Sequence, residues 1–312
     1  MKTVANLLVG AKAGRIADTA RLLSIVENDD PGAADVIRAT YPLTGRALKV
    51  GFTGPPGGGK STLVSALVAA YRKSVPRVAV VAVDPSSPYS GGAILGDRIR
   101  MRDRYLDKGV FIRSMADRGM SGGLARATSR VVNVLDGLQF DVILVETVGV
   151  GQQQIDVSRV VDTVCLVTIP GAGDDIQAIK AGIIEIADVL VVNKADRPGA
   201  DEAVKDFTQM LSLGAPRTAW RTPVIKTSAK ADTGIEDLIS AVQRHRDWAA
   251  NSGEAQRRNS EAMRSEVQAL MCERVLRDWT NRLDPQRLEN VVSQVVHKQL
   301  DPYGAVDVLV GS

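Results

Sequence analysis

Histidine and cysteine are scarce in this 312-residue sequence, which contains two of each. Neither His245 nor His297 has other ligand-type residues at a spacing typical of a metal site. Cys165 and Cys272 lie far apart, each in a segment with an apolar pattern. We therefore predict two buried, reduced thiols in a cytosolic protein, and we expect no structural metal centre.

Long apolar runs and strong net charge are also missing. No run is long enough to span a bilayer, and the N-terminus has no signal-peptide pattern, so we expect a cytoplasmic protein without a membrane partner. The formal net charge of +3 is too small to indicate nucleic-acid binding. With 45% hydrophobic and 24% charged residues, the composition is typical of a soluble globular protein.

Glycine is concentrated in one short stretch, Gly54 to Ser61, which reads G-P-P-G-G-G-K-S and fits the P-loop pattern G-x-x-x-x-G-K-[ST]. A predicted strand precedes it and a helical pattern follows, which is the context that confirms this motif. Glycines let the backbone N–H groups surround an anion, and the helix adds its positive end. We predict that Lys60 reaches the β- and γ-phosphates of a nucleotide and that Ser61 binds Mg²⁺. The predicted phosphate-binding residues are Gly54, Pro55, Pro56, Gly57, Gly58, Gly59, Lys60, Ser61 and Thr62.

A second motif, N-K-A-D at Asn193 to Asp196, follows a continuous apolar run typical of a buried parallel strand. Open α/β sheets bind ligands at the carboxyl ends of their strands. Asp196 can accept hydrogen bonds from N1–H and the 2-amino group of guanine, a pair of donors that adenine lacks. The segment Ser228–Lys230 reads S-A-K and resembles the loop by which G proteins contact guanine O6. Together these motifs predict a GTP/GDP site whose base-binding residues are Asn193, Lys194, Asp196, Ser228, Ala229 and Lys230.

Apolar strands alternate with helical patterns from about residue 45 to residue 250, which predicts an α/β fold. We expect a P-loop NTPase G domain with a mainly parallel, doubly wound sheet. Residues 1–44 are predicted to form an N-terminal helical extension, and residues 251–312 a C-terminal helical arm after a linker at Asn251–Gly253. The predicted strands are Leu48–Thr53, Val78–Asp84, Val110–Arg113, Val142–Glu146, Thr163–Ile169, Val189–Asn193 and Val224–Thr227.

The arm carries an apolar stripe at helical spacing, and Asp284-Pro285 has the sequence of a helix N-cap followed by its first residue. Periodicity alone leaves two interpretations open: the stripe packs against the chain's own G domain, or it pairs with a second copy of the chain. The stripe residues are Met263, Val267, Leu270, Met271, Val275 and Trp279, followed by a second set at Leu288, Val291, Val292, Val295, Val296 and Leu300.

Carboxylates follow two of the predicted strands. Asp84 ends one apolar run and Glu146 ends another, so both should emerge beside the P-loop, where oxygen ligands suit Mg²⁺. Asp97 ends a segment rich in Gly and Ser, which has the composition of a loop that orders around a γ-phosphate and Mg²⁺. The predicted metal-binding residues are Ser61, Asp84, Asp97 and Glu146, and the predicted catalytic residues are Lys60, Asp97 and Glu146.

Hydrolysis should be slow in the isolated protein. Small Ras-like G proteins have D-x-x-G at the second carboxylate and often a Gln just after it, whereas here Glu146 takes the acidic position and Val150 follows Gly149. Gln152 lies nearby and is not assigned the role of orienting water. A partner that completes such a site can accelerate hydrolysis by about 10³- to 10⁵-fold.

These segments together resemble one family, the MeaB/ArgK-type G-protein chaperones of adenosylcobalamin-dependent acyl-CoA mutases such as methylmalonyl-CoA mutase. The resemblance covers most of residues 48 to 230. Its most specific stretches are E-T-V-G-V-G-Q and the long loop containing G-G-A-I-L-G-D. The matching segments are 54–62, 84–87, 91–101, 113–119, 146–152, 170–175 and 191–196.

The resemblance implies a function and an assembly. Members bind the mutase and couple GTP hydrolysis to the loading of intact cofactor and the removal of damaged cofactor. It further implies a homodimer formed through the C-terminal arm, and switch loops at 84–97, 146–156 and 170–180. By the same analogy, Lys60, Ser61, Asp84, Asp97 and Glu146 serve phosphate and Mg²⁺, while the N-K-A-D and S-A-K segments serve the base.

One departure bears on the partner: this chain has Gln153-Gln154 where the family commonly has Ser-Glu, so the client is either methylmalonyl-CoA mutase or a related acyl-CoA mutase. Three other functions share parts of this pattern. A nickel-inserting GTPase needs His and Cys ligands, which are scarce here, and a small-molecule kinase usually needs ATP, against which N-K-A-D argues. A nucleotide-gated scaffold without cofactor traffic fits the sequence equally well.

Overall fold

The computed structural model of the chain contains two compact units, one ending at Arg258 and the other running from Asn259 to Ser312. The first unit holds a parallel sheet between helices, and the second is helical. Within the described ranges, no helix is long and apolar enough to cross a membrane. The structure describes residues 2–85, 106–117, 123–147, 157–171, 184–213 and 218–311.

Among the described residues of the first unit, seven strands form one sheet and all pair in parallel. Their spatial order is β3-β2-β4-β1-β5-β6-β7, which confirms the predicted P-loop NTPase class of α/β fold. The central strands are buried along their whole length because Val, Ile and Leu fill both faces. The strands are β1 Leu48–Thr53, β2 Val78–Pro85, β3 Val110–Asp117, β4 Val142–Thr147, β5 Thr163–Thr168, β6 Val189–Val192 and β7 Val224–Lys226.

Every predicted strand is present, and the main difference lies in β3. The sequence pattern predicts that this strand ends at Arg113, but it continues to Asp117 because its whole length pairs with β2. Ser and Asp are weak strand formers, so the neighbouring strand rather than local propensity extends β3.

Helices cover both faces of the sheet in the first unit. On one face, α1, α2, α3 and α5 share a core with alternate strand residues, in which Leu23 and Leu135 are fully buried with Ile143. On the other face, Leu67 of α4 and Leu238 of α7 pack on β1, β4 and β6. The helices are α1 Val4–Lys12, α2 Ile16–Glu27, α3 Ala33–Thr40, α4 Lys60–Tyr71, α5 Gly123–Gly137, α6 Ala200–Leu213 and α7 Ile235–Ser252.

A buried carboxylate fixes the connection between the N-terminal helices and β1. The side chain of Asp136 is inaccessible to solvent and accepts hydrogen bonds from the backbone N–H groups of Gly45, at 2.7 Å, and Ala47, at 3.0 Å. Lys49 Nζ lies 2.9 Å from the same carboxylate. The N-terminal helices are therefore attached to the sheet through polar contacts as well as through the apolar core.

A second buried polar cluster lies at the amino ends of β5 and β6. Asp188 accepts hydrogen bonds from the backbone N–H of Val164 and from both terminal nitrogens of Arg258, at 2.9, 3.1 and 3.0 Å. His245 is fully buried, with Nε2 3.2 Å from Asp188 Oδ1 and Nδ1 2.8 Å from the hydroxyl of Thr163. Burial by itself raises the pKa of Asp188, but the neighbouring His245 ring and the hydrogen bonds from Arg258 outweigh it and lower the pKa. The carboxylate of Asp188 therefore stays charged, and its buried charge is balanced by the hydrogen-bonded Arg258.

The long helix α8, Glu254–Thr280, begins at this cluster. Gly253, in the left-handed conformation at φ 78°, separates α7 from α8, so the predicted linker at Asn251–Gly253 is wrong for its first two residues, which remain helical. Glu254 Oε1 accepts a hydrogen bond from Arg258 Nε at 2.8 Å, which orients the guanidinium towards Asp188.

The second unit continues along α8 and adds α9, Pro285–Val296, and α10, Pro302–Val310. Asp284 caps α9 by accepting a hydrogen bond from the N–H of Gln286, as its sequence predicts. The helix α10 was not predicted, although Asp301-Pro302 repeats the same signal. Cys272 is exposed on α8, so the prediction of a buried thiol is wrong for this residue, while it is confirmed for Cys165. In the part of the chain that the structure describes, the apolar residues around Cys272 are exposed and do not belong to a core.

We expect Asp188→Asn to destabilise the first unit by about 3 kcal/mol, because it leaves Arg258 and His245 without their buried charge partner. Urea unfolding can be followed by tryptophan fluorescence, since the Trp220 and Trp248 rings lie 5.0 and 5.7 Å from the His245 ring. Asp201→Asn removes the same charge from an exposed pair with Lys226 and is the matched control. Equal unfolding free energies for the two variants would show that the cluster does not stabilise the fold.

Candidate functional site

The three predicted nucleotide-binding segments meet at the carboxyl edge of the sheet. The P-loop follows β1, the N-K-A-D segment follows β6 and the S-A-K segment follows β7. Because all the strands run parallel, these segments lie at the same edge, where open α/β sheets bind ligands.

Two P-loop positions require glycine for different reasons. Gly54 has φ 138°, and a Cβ there would lie 2.0 Å from the carbonyl oxygen of Val167 on β5. Gly59 has φ 84° at the N-cap of α4, where a Cβ would lie 2.5 Å from Nδ2 of Asn193. The loop therefore lies so close to its neighbours that only glycine fits.

Lys60 is the first residue of α4 and is almost completely buried. Its Nζ donates hydrogen bonds to the carbonyl oxygens of Gly54, at 2.8 Å, and Pro55, at 2.9 Å. The ammonium group therefore lies inside the curl of the P-loop, within which a nucleotide phosphate would bind.

Ser61 and Glu146 form the candidate magnesium site. The hydroxyl of Ser61 donates a hydrogen bond to Glu146 Oε1 at 2.7 Å, and both side chains are buried. Glu146 lies on β4, paired with Phe52 of β1, so the sheet brings it beside the P-loop. A hydroxyl and a carboxylate oxygen are the hard ligands that Mg²⁺ prefers, and this pair therefore fits the predicted metal.

Asn193 connects the three loops. Its Nδ2 donates to the carbonyl oxygen of Gly58 at 3.0 Å, while its Oδ1 accepts from the hydroxyl of Thr227 at 3.2 Å and from the N–H of Ala229 at 3.3 Å. Its side chain is buried, so these hydrogen bonds replace contacts with water. One amide group thereby fixes the P-loop relative to both base-binding segments.

The carboxylate of Asp196 is oriented by the S-A-K segment. Ser228 Oγ donates a hydrogen bond to Asp196 Oδ1 at 2.5 Å. This hydrogen bond is the main reason why the pKa of Asp196 is lowered, and the nearby charges of Arg197 and Lys230 act in the same direction. Asp196 is therefore a charged acceptor, as the recognition of two guanine N–H groups requires.

The structure describes some of the other predicted residues and not others. Thr62 is exposed on the first turn of α4, and Asp84 is the next-to-last residue of β2, near the carboxyl edge of the sheet. Asp97 lies outside the described residues, as do Gln152 and most of the predicted switch loops at 84–97, 146–156 and 170–180. The roles of all these residues stay predictions.

Sequence reasoning missed two contacts in the site. Thr227 donates from its hydroxyl to Asn193, and Lys194 Nζ donates to the carbonyl oxygen of Gly57 at 2.8 Å. Lys194 also has φ 56°, an uncommon conformation for lysine. The Thr227–Asn193 contact could have been predicted, because Thr227 directly precedes the S-A-K segment and carries a hydroxyl. The Lys194–Gly57 contact could not, because it depends on how the fold brings Lys194 to the P-loop.

Comparison with known proteins identifies relatives over nearly the whole chain. A putative GTPase of Pyrococcus abyssi is 44% identical over 307 residues, covering 97% of this chain and 95% of the relative. GTPase ArgK of Escherichia coli is 35% identical, with coverage of 77% and 75%. The methylmalonic aciduria type A homolog of Mus musculus is 34% identical, covering 86% of this chain and 65% of that protein.

A solved structure and a family model agree with these relatives. The crystal structure of an LAO/AO transport system kinase superposes with a TM-score of 0.72 at 25% identity, covering 99% of this chain and 96% of that one. The family described as methylmalonyl-CoA mutase-associated GTPase MeaB matches residues 19–283. This chain therefore belongs to the MeaB family of GTPases.

Proposed function

We propose that this chain is a Mg²⁺-dependent GTPase that controls the loading, protection and repair of adenosylcobalamin in a methylmalonyl-CoA mutase-like enzyme. Family membership supports the GTPase activity and the association with a mutase. The observation that carries the nucleotide part is Asn193, whose amide joins the P-loop to the segments predicted to bind the base.

Each residue has a distinct task in the proposed reaction. The P-loop N–H groups hold the phosphates together with Lys60, whose ammonium lies against the carbonyl oxygens of Gly54 and Pro55. Ser61 and Glu146, which are hydrogen-bonded to each other, would hold Mg²⁺, and this ion would neutralise charge on the β- and γ-phosphates. Asp84 and Asp97 are further candidates for this task.

Guanine selection rests on Asp196. Ser228 holds one carboxylate oxygen, and the other oxygen, together with the remaining lone pairs of the first, can accept from guanine. ATP would leave this charge without donors, which opposes the alternative of an ATP-dependent small-molecule kinase.

The proposed control of hydrolysis requires a partner. The sequence places no glutamine directly after Glu146-Thr147-Val148-Gly149, so the isolated chain lacks the water-orienting residue of small G proteins at its usual position. The mutase, on binding, would complete or reorder this region and thereby couple hydrolysis to cofactor transfer.

We further propose that the second unit forms a homodimer. Of its described residues, only Val291 and Ala305 are buried, whereas Val267 and Val275 of α8 are each 62% exposed. An apolar face of this extent is unfavourable in water unless another surface covers it. A second copy provides an identical face, and a two-fold symmetric contact needs no other partner. The other exposed apolar residues are Leu270, Met271, Leu276, Trp279, Val292, Val296, Tyr303, Val306, Val308 and Val310.

Base selection can be tested with Asp196→Asn. We expect the variant to bind GTP at least about tenfold more weakly, since a charge-assisted pair of hydrogen bonds is lost, and to prefer xanthosine triphosphate over GTP. Calorimetric titration with both nucleotides measures this, and Asp232→Asn, an exposed change nearby, should leave both affinities unaltered. Retained preference for GTP in Asp196→Asn would contradict the assignment.

Partner control can be tested with a purified adenosylcobalamin-dependent methylmalonyl-CoA mutase. We expect the affinity of the mutase for the chain to differ between GDP, GTP and a non-hydrolysable GTP analogue. We also expect the mutase to accelerate GTP hydrolysis, by up to about 10³- to 10⁵-fold, as in GTPase sites that a partner completes. Lys60→Ala should abolish the nucleotide dependence. If the mutase binds equally in all nucleotide states and leaves the rate of GTP hydrolysis unchanged, the chaperone role is refuted. The GTPase activity itself would not be refuted by that result.

The dimer can be tested with Val267→Glu combined with Val275→Glu. We expect the double variant to become monomeric, because it places two charges in the apolar stripe of α8. Light scattering should give twice the 33.3 kDa chain mass for the wild type and the single mass for the variant. Ser265→Glu with Thr280→Glu adds the same charges to exposed positions off the stripe and should remain dimeric. A monomeric wild type would refute the proposal.

A further inference from the structure

An open cavity of about 530 Å³ lies at the amino edge of the sheet. Leu48 and Val142, the first residues of β1 and β4, contribute to its lining, together with the C-terminal end of α4 and one side of α7. The volume falls within the range of about 300–1,000 Å³ that is common for small-molecule sites. None of the described residues of the nucleotide site lines it.

Tyr71 contributes a hydroxyl donor to this cavity. The residue is only 7% exposed, and its hydroxyl has no hydrogen-bond partner within the described part of the chain. Burial raises the pKa of the phenol well above its ordinary value, so it remains protonated and keeps its hydrogen at physiological pH. The hydroxyl lines the open cavity, so its hydrogen can be donated to water or to a ligand there that supplies an acceptor.

The charged residues of the cavity also favour an acceptor. Arg244 is exposed and makes no hydrogen bond or ion pair with any residue that the structure describes, while Arg246 uses one terminal nitrogen to bond the carbonyl oxygen of Arg46 at 3.1 Å. Asp141 is already engaged by the backbone N–H of Arg77 at 2.8 Å. Glu236 is an exposed carboxylate, which opposes a ligand with two negative charges.

We propose that this cavity binds a small organic monocarboxylate with an apolar body. The carboxylate accepts from Tyr71 and pairs with Arg244 and Arg246. The apolar body contacts the aliphatic part of the lining, formed by Leu48, Ala70, Val75, Val142 and Ile239. A few convergent polar groups on an apolar surface are the usual composition of a ligand site.

The proposed ligand is independent of GTP. The helix α4 begins at Lys60 in the P-loop and ends at Tyr71 in the cavity, a length of about 18 Å for its twelve residues. Variants of Tyr71 and Arg244 should therefore leave GTP affinity unchanged, which separates this proposal from the proposed function.

The experiment uses hydrocinnamate as the probe and hydrocinnamyl alcohol as its uncharged analogue, with binding to the full chain measured by saturation-transfer NMR and titration. We expect the acid to bind and the alcohol to bind several-fold more weakly. Tyr71→Phe keeps the ring and removes only the hydroxyl, and we expect about two- to tenfold weaker binding, as for the loss of one hydrogen bond. Arg244→Gln should weaken binding by at least as much.

Arg21→Gln removes the same charge from an exposed position on α2 and is the matched control, for which binding should equal that of the wild type. Three results would each overturn the proposal: no binding of hydrocinnamate at millimolar concentration, equal binding of acid and alcohol, or unchanged affinity in both Tyr71→Phe and Arg244→Gln. Equal losses in all three variants would also overturn it, since the effect would then be one of net charge and not of this cavity.

Discussion

The side-chain amide of Asn193 determines the geometry of the nucleotide site. It donates to the P-loop through Gly58 and accepts from Thr227 and Ala229, so three loops from separate parts of the chain share one buried group. Asn193 can do this because it follows β6 directly, and β6 is fixed between β5 and β7. These hydrogen bonds within the chain hold the three loops together, and such bonds reduce the ordering cost of binding.

The two edges of the sheet hold different groups of residues. The carboxyl edge holds the glycine-rich loop, the buried Ser61–Glu146 pair and the base-binding segments. The amino edge holds the Asp188 cluster and the cavity beside Tyr71. Strand β6 has four residues, and Asp188 and Asn193 flank it directly. The buried polar cluster and the amide that joins the loops therefore lie at opposite ends of one short strand.

The second unit differs from the first in how it can be stable. The first unit buries continuous apolar cores on both sides of its sheet, whereas α8, α9 and α10 leave most of their large apolar side chains exposed within one chain. Capped helices at Asp284 and Asp301 show that these segments are locally well specified. Helices that are well capped but bury few apolar side chains within one chain are typical of proteins in which folding and association occur together.

The sequence by itself determined the fold class, the seven predicted strands and the candidate nucleotide-binding segments, because each of these features depends on contiguous residues: apolar runs, glycine spacing and N-K-A-D. Only the tertiary structure decided what depends on distant partners. Pairing with β2 extended β3 to Asp117, and the parallel sheet brought Ser61 onto Glu146 and Lys194 onto Gly57. Cys272 was misjudged for the same reason, since an apolar period shows that a helix has an apolar face but not what covers that face.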